Sequence, residues 1–223
     1  MTDAELTVLQ LSIGASLTSV MVLGALQFAD LRVTPTESAV SRTPASADAL
    51  HAVAGDPSTV TLVRQMYRRL GIDPTKTRPS SEALLRRVGR GQPLPRINTL
   101  VDAVNRCSLE SRLPYGVYDL GRVSGPVELR LGGAGDEYMG IRKATVHLAG
   151  RPALFDDRGP FGNPTADSVR TMITVGTTRA MVVVFAPRPL GRDQVDVVLD
   201  GTARHVGLAA GGVEEGRQVV PCA

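Results

Sequence analysis

The sequence predicts an α+β domain, and three observations lead there. Helical periodicity is concentrated before residue 112. Short β-prone runs divided by Gly and Pro follow it, without helices alternating between them. Hydrophobic residues make up 43% of the 223 residues and charged residues 21%, enough to build a packed core in a chain of one-domain length. Aromatics are only 4% and Trp is absent, so that core must be made of Val, Leu, Ala and Ile.

The elements read in order as follows. Thr7 to Ala29 is uncharged for 23 residues, long enough to cross a bilayer. It carries Gln10, Ser12, Ser16, Thr18, Ser19 and Gln27, lacks basic flanks and follows acidic Asp3 and Glu5. It is therefore expected to be buried helix and strand, neither membrane span nor signal peptide. Residues 34 to 58 are rich in Pro, Ser, Thr and Ala and read as a surface connection with one helical turn. Residues 1–57 are thus a strand/helix segment and connection packing on the core.

From Ser58, Val60, Val63, Met66, Tyr67 and Leu70 recur at helical spacing, and Gly71 ends the run. Pro79 and Ser80 open a second helix bearing Leu84, Leu85 and Val88, stopped by Gly89 and Gly91. After Pro93 and Pro95 a third helix buries Ile97, Leu100, Val101 and Val104. The runs GVYDL, VELRL, ATVHL, RPALFD, SVRTMITV and RAMVVVFAP are expected strands, MVVVF an interior one. A last helix is predicted over Asp193 to Val206, with Val195, Val198, Leu199 and Val206 inward. Residues 58–210 form the domain, and 211–223 a flexible tail.

The net charge of +3 is unevenly spread. Between Arg64 and Arg112, ten arginines and Lys76 face Asp73, Glu82, Asp102 and Glu110, a surplus of seven that leaves the rest at −4. Biased codon usage explains why only Lys76 and Lys143 are lysines, but not the clustering. A basic tract on a slightly acidic protein suits phosphate backbones, with a solvated helical surface as the competing account.

Familiar catalytic signatures do not appear. LGGAGDEYMG lacks a phosphate-loop Gly-Lys-Ser/Thr and reads as a hairpin turn. His51, His147 and His205 lie far apart, and Cys107 and Cys222 form no motif, so no metal or cofactor is expected. The two isolated cysteines suit a reducing cytoplasm. Ser124 matches no nucleophile elbow, and Asp156 and Asp157 in FDDRG read as an exposed turn.

With these elements placed, RINTLVDAVNRCSLESRLPYGVYDLGRVSGPVELR resembles the B3/B4 domain, the editing module of the bacterial phenylalanyl-tRNA synthetase β-subunit. Ile97, Asn98, Val101, Asp102 and Asn105 match that family's helix. Pro114, Asp119 and Leu120 match its turn, and Gly125 and Arg130 its strand. RPSSEALLRRV and DSVRTMITVGTTRAMVVV look like segments of free-standing versions, and the resemblance runs from about Arg64 to Leu208. It implies a layered β-sandwich-like core with flanking helices. The length predicts a free-standing protein without a synthetase body.

The activity the resemblance implies is hydrolysis, in trans, of a mischarged aminoacyl-tRNA, by water attacking an activated ester. Asn105 would be the catalytic group that orients water or substrate. Asn98, Asp102, Gly116, Tyr118, Asp167, Arg170, Thr171 and Thr178 would line the substrate site. Arg64, Arg68, Arg69, Arg86, Arg87 and Arg90 would hold the tRNA.

The departures are specific. The family's His falls on Gly116, the Thr before its helix Asn on Val104, and its acidic residue on Val183 if Thr178 is the strand Thr. Gly116 and Val183 are expected to leave a larger, more apolar pocket. Structural readings stand beside the functional ones: Asn98 as a helix cap, Asp119 as a turn fixer, Tyr118 as a packing ring, Arg170 as half of an ion pair. The second function is a non-catalytic module binding RNA, tRNA or an amino-acid-like metabolite. A pocket closed by Val104 and Val183 would favour it.

Overall fold

The computed structural model describes residues 10–36 and 56–221. His51, Cys222 and most of the connection expected over 34–58 lie outside them.

A four-stranded antiparallel sheet forms the middle of the molecule, in the order β10 (Val213–Val220), β2 (Met21–Ala29), β9 (Ala180–Pro187) and β3 (Tyr115–Asp119). Every residue of β2 and β9 is buried, which suits two central strands covered on both faces. Met21–Ala29 of the uncharged N-terminal stretch is therefore core strand, and Ala15–Leu17 before it is a single 3-10 turn. Among the described residues no helix is long and apolar enough to cross a membrane.

A second sheet has the order β1 (Leu11–Ile13), β4 (Val127–Leu131), β7 (Pro152–Asp156) and β8 (Gly159–Gly162). Its Val127, Leu129, Leu154 and Phe161 join the same apolar core as the first sheet. The Tyr118 and Phe161 rings meet edge to face across the two layers at 5.0 Å. A small hairpin, β5 (Glu137–Met139) with β6 (Thr145–His147), stands beside them.

Helices complete the layers. They are α1 (Ser58–Arg69), α2 (Ser80–Val88), α3 (Thr99–Ser111) and α4 (Gly191–Ala210). Helix α4 presses Val195 and Leu199 onto β2 at Gly24, where an added Cβ would stand 2.6 Å from a Val195 methyl. Such an approach needs glycine. Helix α3 packs on α4 and β3. The result is the α+β architecture the sequence predicts, with sandwiched sheets and helices outside.

Three expectations need correction. Val213–Val220, within the expected tail 211–223, is a strand, because β10 pairs with β2 from Ala29 to Leu23. Glu214, Glu215, Arg217 and Gln218 make it too polar to stand out as an apolar run, as befits a sheet edge. The run Ser168–Val175 is not a strand; Val169–Thr171 forms a 3-10 turn instead. Finally, Asp156 in FDDRG is not exposed: its side chain is fully buried against Arg170.

Candidate functional site

Helix α3 is the axis of the site. Asn98 ends the preceding extended segment and accepts a hydrogen bond from the Val101 amide at 2.9 Å, capping the helix. Asp102 reaches back to the Ile97 amide at 2.9 Å and pairs with Arg96 at 3.3 Å. Neither side chain lines the cavity beside this helix. Their work is to start α3 and fix its rotation, which turns Val101, Val104, Asn105 and Ser108 to one side.

That side faces a cavity of about 180 Å³. Its other walls are Ser80 and Leu84 of α2, Ile97 just before α3, Tyr115 and Val117 of β3, Ile141 of the β5–β6 turn, and Asp167, Met172 and Ile173. The lining is mostly apolar. Asn105 is half-buried there, and its amide is taken up by no other described residue. Asp167 is the one carboxyl in the wall.

Two glycines and a tyrosine hold Asp167. Strand β3 pairs Gly116 with Val183 of β9, and both are buried. A side chain at Gly116 or at Gly162 would overlap the Tyr118 hydroxyl. The space the absent His leaves at Gly116 is thus filled by the phenol of Tyr118, and Val183 is packed away in the core. Neither residue enlarges the pocket, contrary to the expectation from sequence. The Tyr118 hydroxyl donates to Asp167 Oδ1 at 2.7 Å, and the Val117 amide also donates to this carboxylate.

Burial raises the Asp167 carboxyl to about 7, only partly offset by those two donors. Tyr118 ionises far above the usual range, first through burial and then through the Asp167 charge. The linkage has a definite sign. A carboxyl with a raised folded pKa contributes stability below its unfolded value, about 4, and loses it as pH rises through about 7. The parent protein should therefore fall in thermal midpoint relative to Asp167→Asn between pH 4 and pH 7. Parallel pH profiles of the two proteins would contradict this.

The other residues named from sequence are brought elsewhere. Arg170 forms a bidentate pair with Asp156, both contacts at 2.9 Å, and donates to the carbonyls of Arg122 and Gly159. Burial pushes Asp156 up, but Arg170 and the Ser124 amide hold it below the usual carboxylate range. Thr171 is fully buried beside Ser168 and Phe161. Thr178 is exposed; its neighbour Thr177 is the buried hydroxyl, donating to Asp119 Oδ2 at 2.7 Å. Asp119 also accepts from the Gly121 amide and so fixes the turn after β3.

The arginine tract divides. Arg64 is committed to Glu82, with contacts of 2.9 and 2.6 Å. Arg68 and Arg69 are exposed on α1. Arg86, Arg87 and Arg90 line an open basin of about 400 Å³ together with Arg78 and Arg142. Arg87 also donates to the Pro93 carbonyl. The basin meets the cavity at Leu84, which lines both. Sequence reasoning missed Arg142, which lies outside the tract in the β5–β6 turn beside the cavity residue Ile141. Among the described residues no three His, Cys, Asp or Glu side chains are grouped to hold a metal ion.

The family model for the B3/4 domain matches residues 62–194. Among solved structures, the chain is similar to an N-terminal fragment of the phenylalanyl-tRNA synthetase β-subunit from Pyrococcus horikoshii, with a TM-score of 0.50 and 12% identity. That superposition covers 96% of this chain and 55% of the fragment, so the chain spans little more than half the length of its structural relative. No curated protein matches the chain. With more than half its length matched by the family model, the chain belongs to the B3/4 domain family.

Proposed function

We propose that this protein binds tRNA and hydrolyses, in trans, an aminoacyl ester carried on the tRNA 3′ end. The observation that carries the reading is the junction at Leu84. There a small apolar cavity holding Asn105 and Asp167 opens beside a basin lined by five arginines. Such a pair of compartments suits an acyl group attached to a polyanion. Membership of the B3/4 domain family and the likeness to the β-subunit fragment support the connection to tRNA.

The size of the cavity argues for its contents. At about 180 Å³ it falls below the ~300–1,000 Å³ typical of pockets for drug-sized ligands. It is on the scale of one amino-acid side chain. The ester itself is already activated, so the site needs to orient water and the carbonyl and needs no covalent nucleophile. Water adds to the ester carbonyl, the tetrahedral centre collapses, and the products are the free amino acid and a tRNA with its terminal hydroxyl restored. Asn105 donates or accepts at that centre through its uncommitted amide. The substrate class puts this work in the cytoplasm.

The test is a panel of correctly and incorrectly charged tRNAs incubated with the full-length protein. At least one charged species should release its amino acid faster than the spontaneous rate. Binding of tRNA without accelerated release from any member would instead mark a non-catalytic tRNA-binding module.

A further inference from the structure

Asp167 poses a problem that the hydrolytic reading leaves open. It is the one carboxyl in a mostly apolar wall, and a buried carboxylate is costly without a compensating cation. Among the described residues it has no such cation. Its partners are the Tyr118 hydroxyl and the Val117 amide. Arg170, three residues along, is fully engaged by Asp156 and two carbonyls. The titratable groups facing Asp167 are Tyr118 of β3 and Tyr138 of β5, both phenols held protonated by burial. Tyr138 is itself tied to the Ala166 carbonyl at 2.6 Å.

Two neutral donors orient the carboxyl, and no cation among the described residues completes it. The ligand is then the natural source. Resting on the aminoacyl-ester reading, we infer that Asp167 is the amine-binding group of the cavity, pairing with the α-ammonium of the aminoacyl moiety while the apolar walls take its side chain. The substrate class narrows accordingly, to esters of amino acids with a free α-amine and a modest apolar side chain. N-acylated amino acids and peptidyl esters are excluded. Tyr118 is a positioning residue, since it acts on the ligand only through Asp167.

Occupancy should follow a bell in pH. Binding rises as Asp167 ionises through about 7. It falls again as a free α-amine loses its proton near ~8. The Tyr118 hydroxyl favours the ionised carboxyl, so Tyr118→Phe should move the rising limb to higher pH while keeping the preference for amines.

The probes are alaninamide, leucinamide, methioninamide and phenylalaninamide, each compared with its N-acetyl derivative by NMR chemical-shift titration on the full-length chain. At least one free amine should bind about tenfold tighter than its N-acetyl form, the worth of one charge-assisted hydrogen bond. Asp167→Asn, which keeps an acceptor for Tyr118, should erase the difference. Should that variant fail to fold, the parent's amine preference and the shifted Tyr118→Phe profile decide the matter. Equal binding of free and acetylated amides, no binding of any amide, or a preference untouched in folded Asp167→Asn overturns the assignment. Hydrolysis of charged tRNA together with equal amide binding would leave the deacylase reading standing and remove only the role of Asp167. Amine preference without hydrolysis would do the reverse.

Discussion

Charge reversal in the arginine basin should abolish tRNA binding. The variant Arg86→Glu, Arg90→Glu, Arg142→Glu changes three exposed side chains that line the basin. Surface substitutions of this kind alter folding stability by only about 0.5 kcal/mol each. Each lost phosphate contact removes roughly 0.7 to 0.9 from the slope of log affinity against log salt. Three reversals should therefore flatten the slope by about two to three and weaken binding by about a hundredfold or more at low salt. Arg68→Glu with Arg69→Glu serves as the control, since both lie on α1 and neither lines the basin. It should cost far less. A mobility-shift titration across salt concentrations reads both variants. Equal losses would contradict a site centred on the basin, and a larger loss in the α1 variant would assign the tRNA to α1 instead.

The second large effect is expected at Asn105. Its amide lines the cavity and is bonded to no described residue, so its removal takes nothing from the fold. The capping role in this helix belongs to Asn98, which holds the Val101 amide. Alanine is also the better helix former by a few tenths of a kcal/mol. Asn105→Ala should thus melt at or slightly above the parent temperature. An amide cannot act as a general base near neutral pH, so its contribution is orientation. Losing one preorganised hydrogen bond of this type costs ~3 kcal/mol in the transition state, about a hundredfold in rate. Single-turnover ester hydrolysis and thermal midpoint should be measured on the same preparation. A variant that hydrolyses like the parent but melts lower would make Asn105 structural.

Much of this fold was legible in local patterns. Helices α1, α2 and α3 follow from apolar spacing and from Ser58, Pro79, Asn98 and Gly89 at their ends. Strand β9 follows from an apolar run with no place on a surface. What escaped depended on partners. Strand β10 is polar along most of its length, and only its pairing with β2 makes it a strand. Ser168–Val175 has strand-like composition, but Arg170 is drawn to Asp156, and a turn results. The pull of one ion pair across a β-hairpin end is invisible in a window of residues.

The site shows the same division. Asn105 and Asp167 are both named by the resemblance, and the fold brings them to one cavity from separate elements. Asn98 and Asp102 belong to the same motif yet serve the start of α3. A motif records which residues recur together without separating those that build a helix from those that meet a ligand. Gly116 misleads for a different reason. Read alone it is an empty space, whereas in β3 it accommodates the ring of Tyr118 two residues on. Arg142 is invisible in charge clustering along the chain, because the β5–β6 turn delivers it from outside the tract.

The central claim is that cavity and basin work as one site on one substrate. It is tested most directly by comparing two forms of the same aminoacyl ester, the intact charged tRNA and the aminoacyl-adenosine of its 3′ end, in single-turnover hydrolysis by the full-length protein. The account predicts that the intact tRNA is hydrolysed with the higher kcat/KM at low salt. That advantage should collapse as salt rises and vanish in Arg86→Glu, Arg90→Glu, Arg142→Glu, while the fragment's rate stays the same. Equal handling of tRNA and fragment at low salt, or spontaneous rates for both, would contradict it.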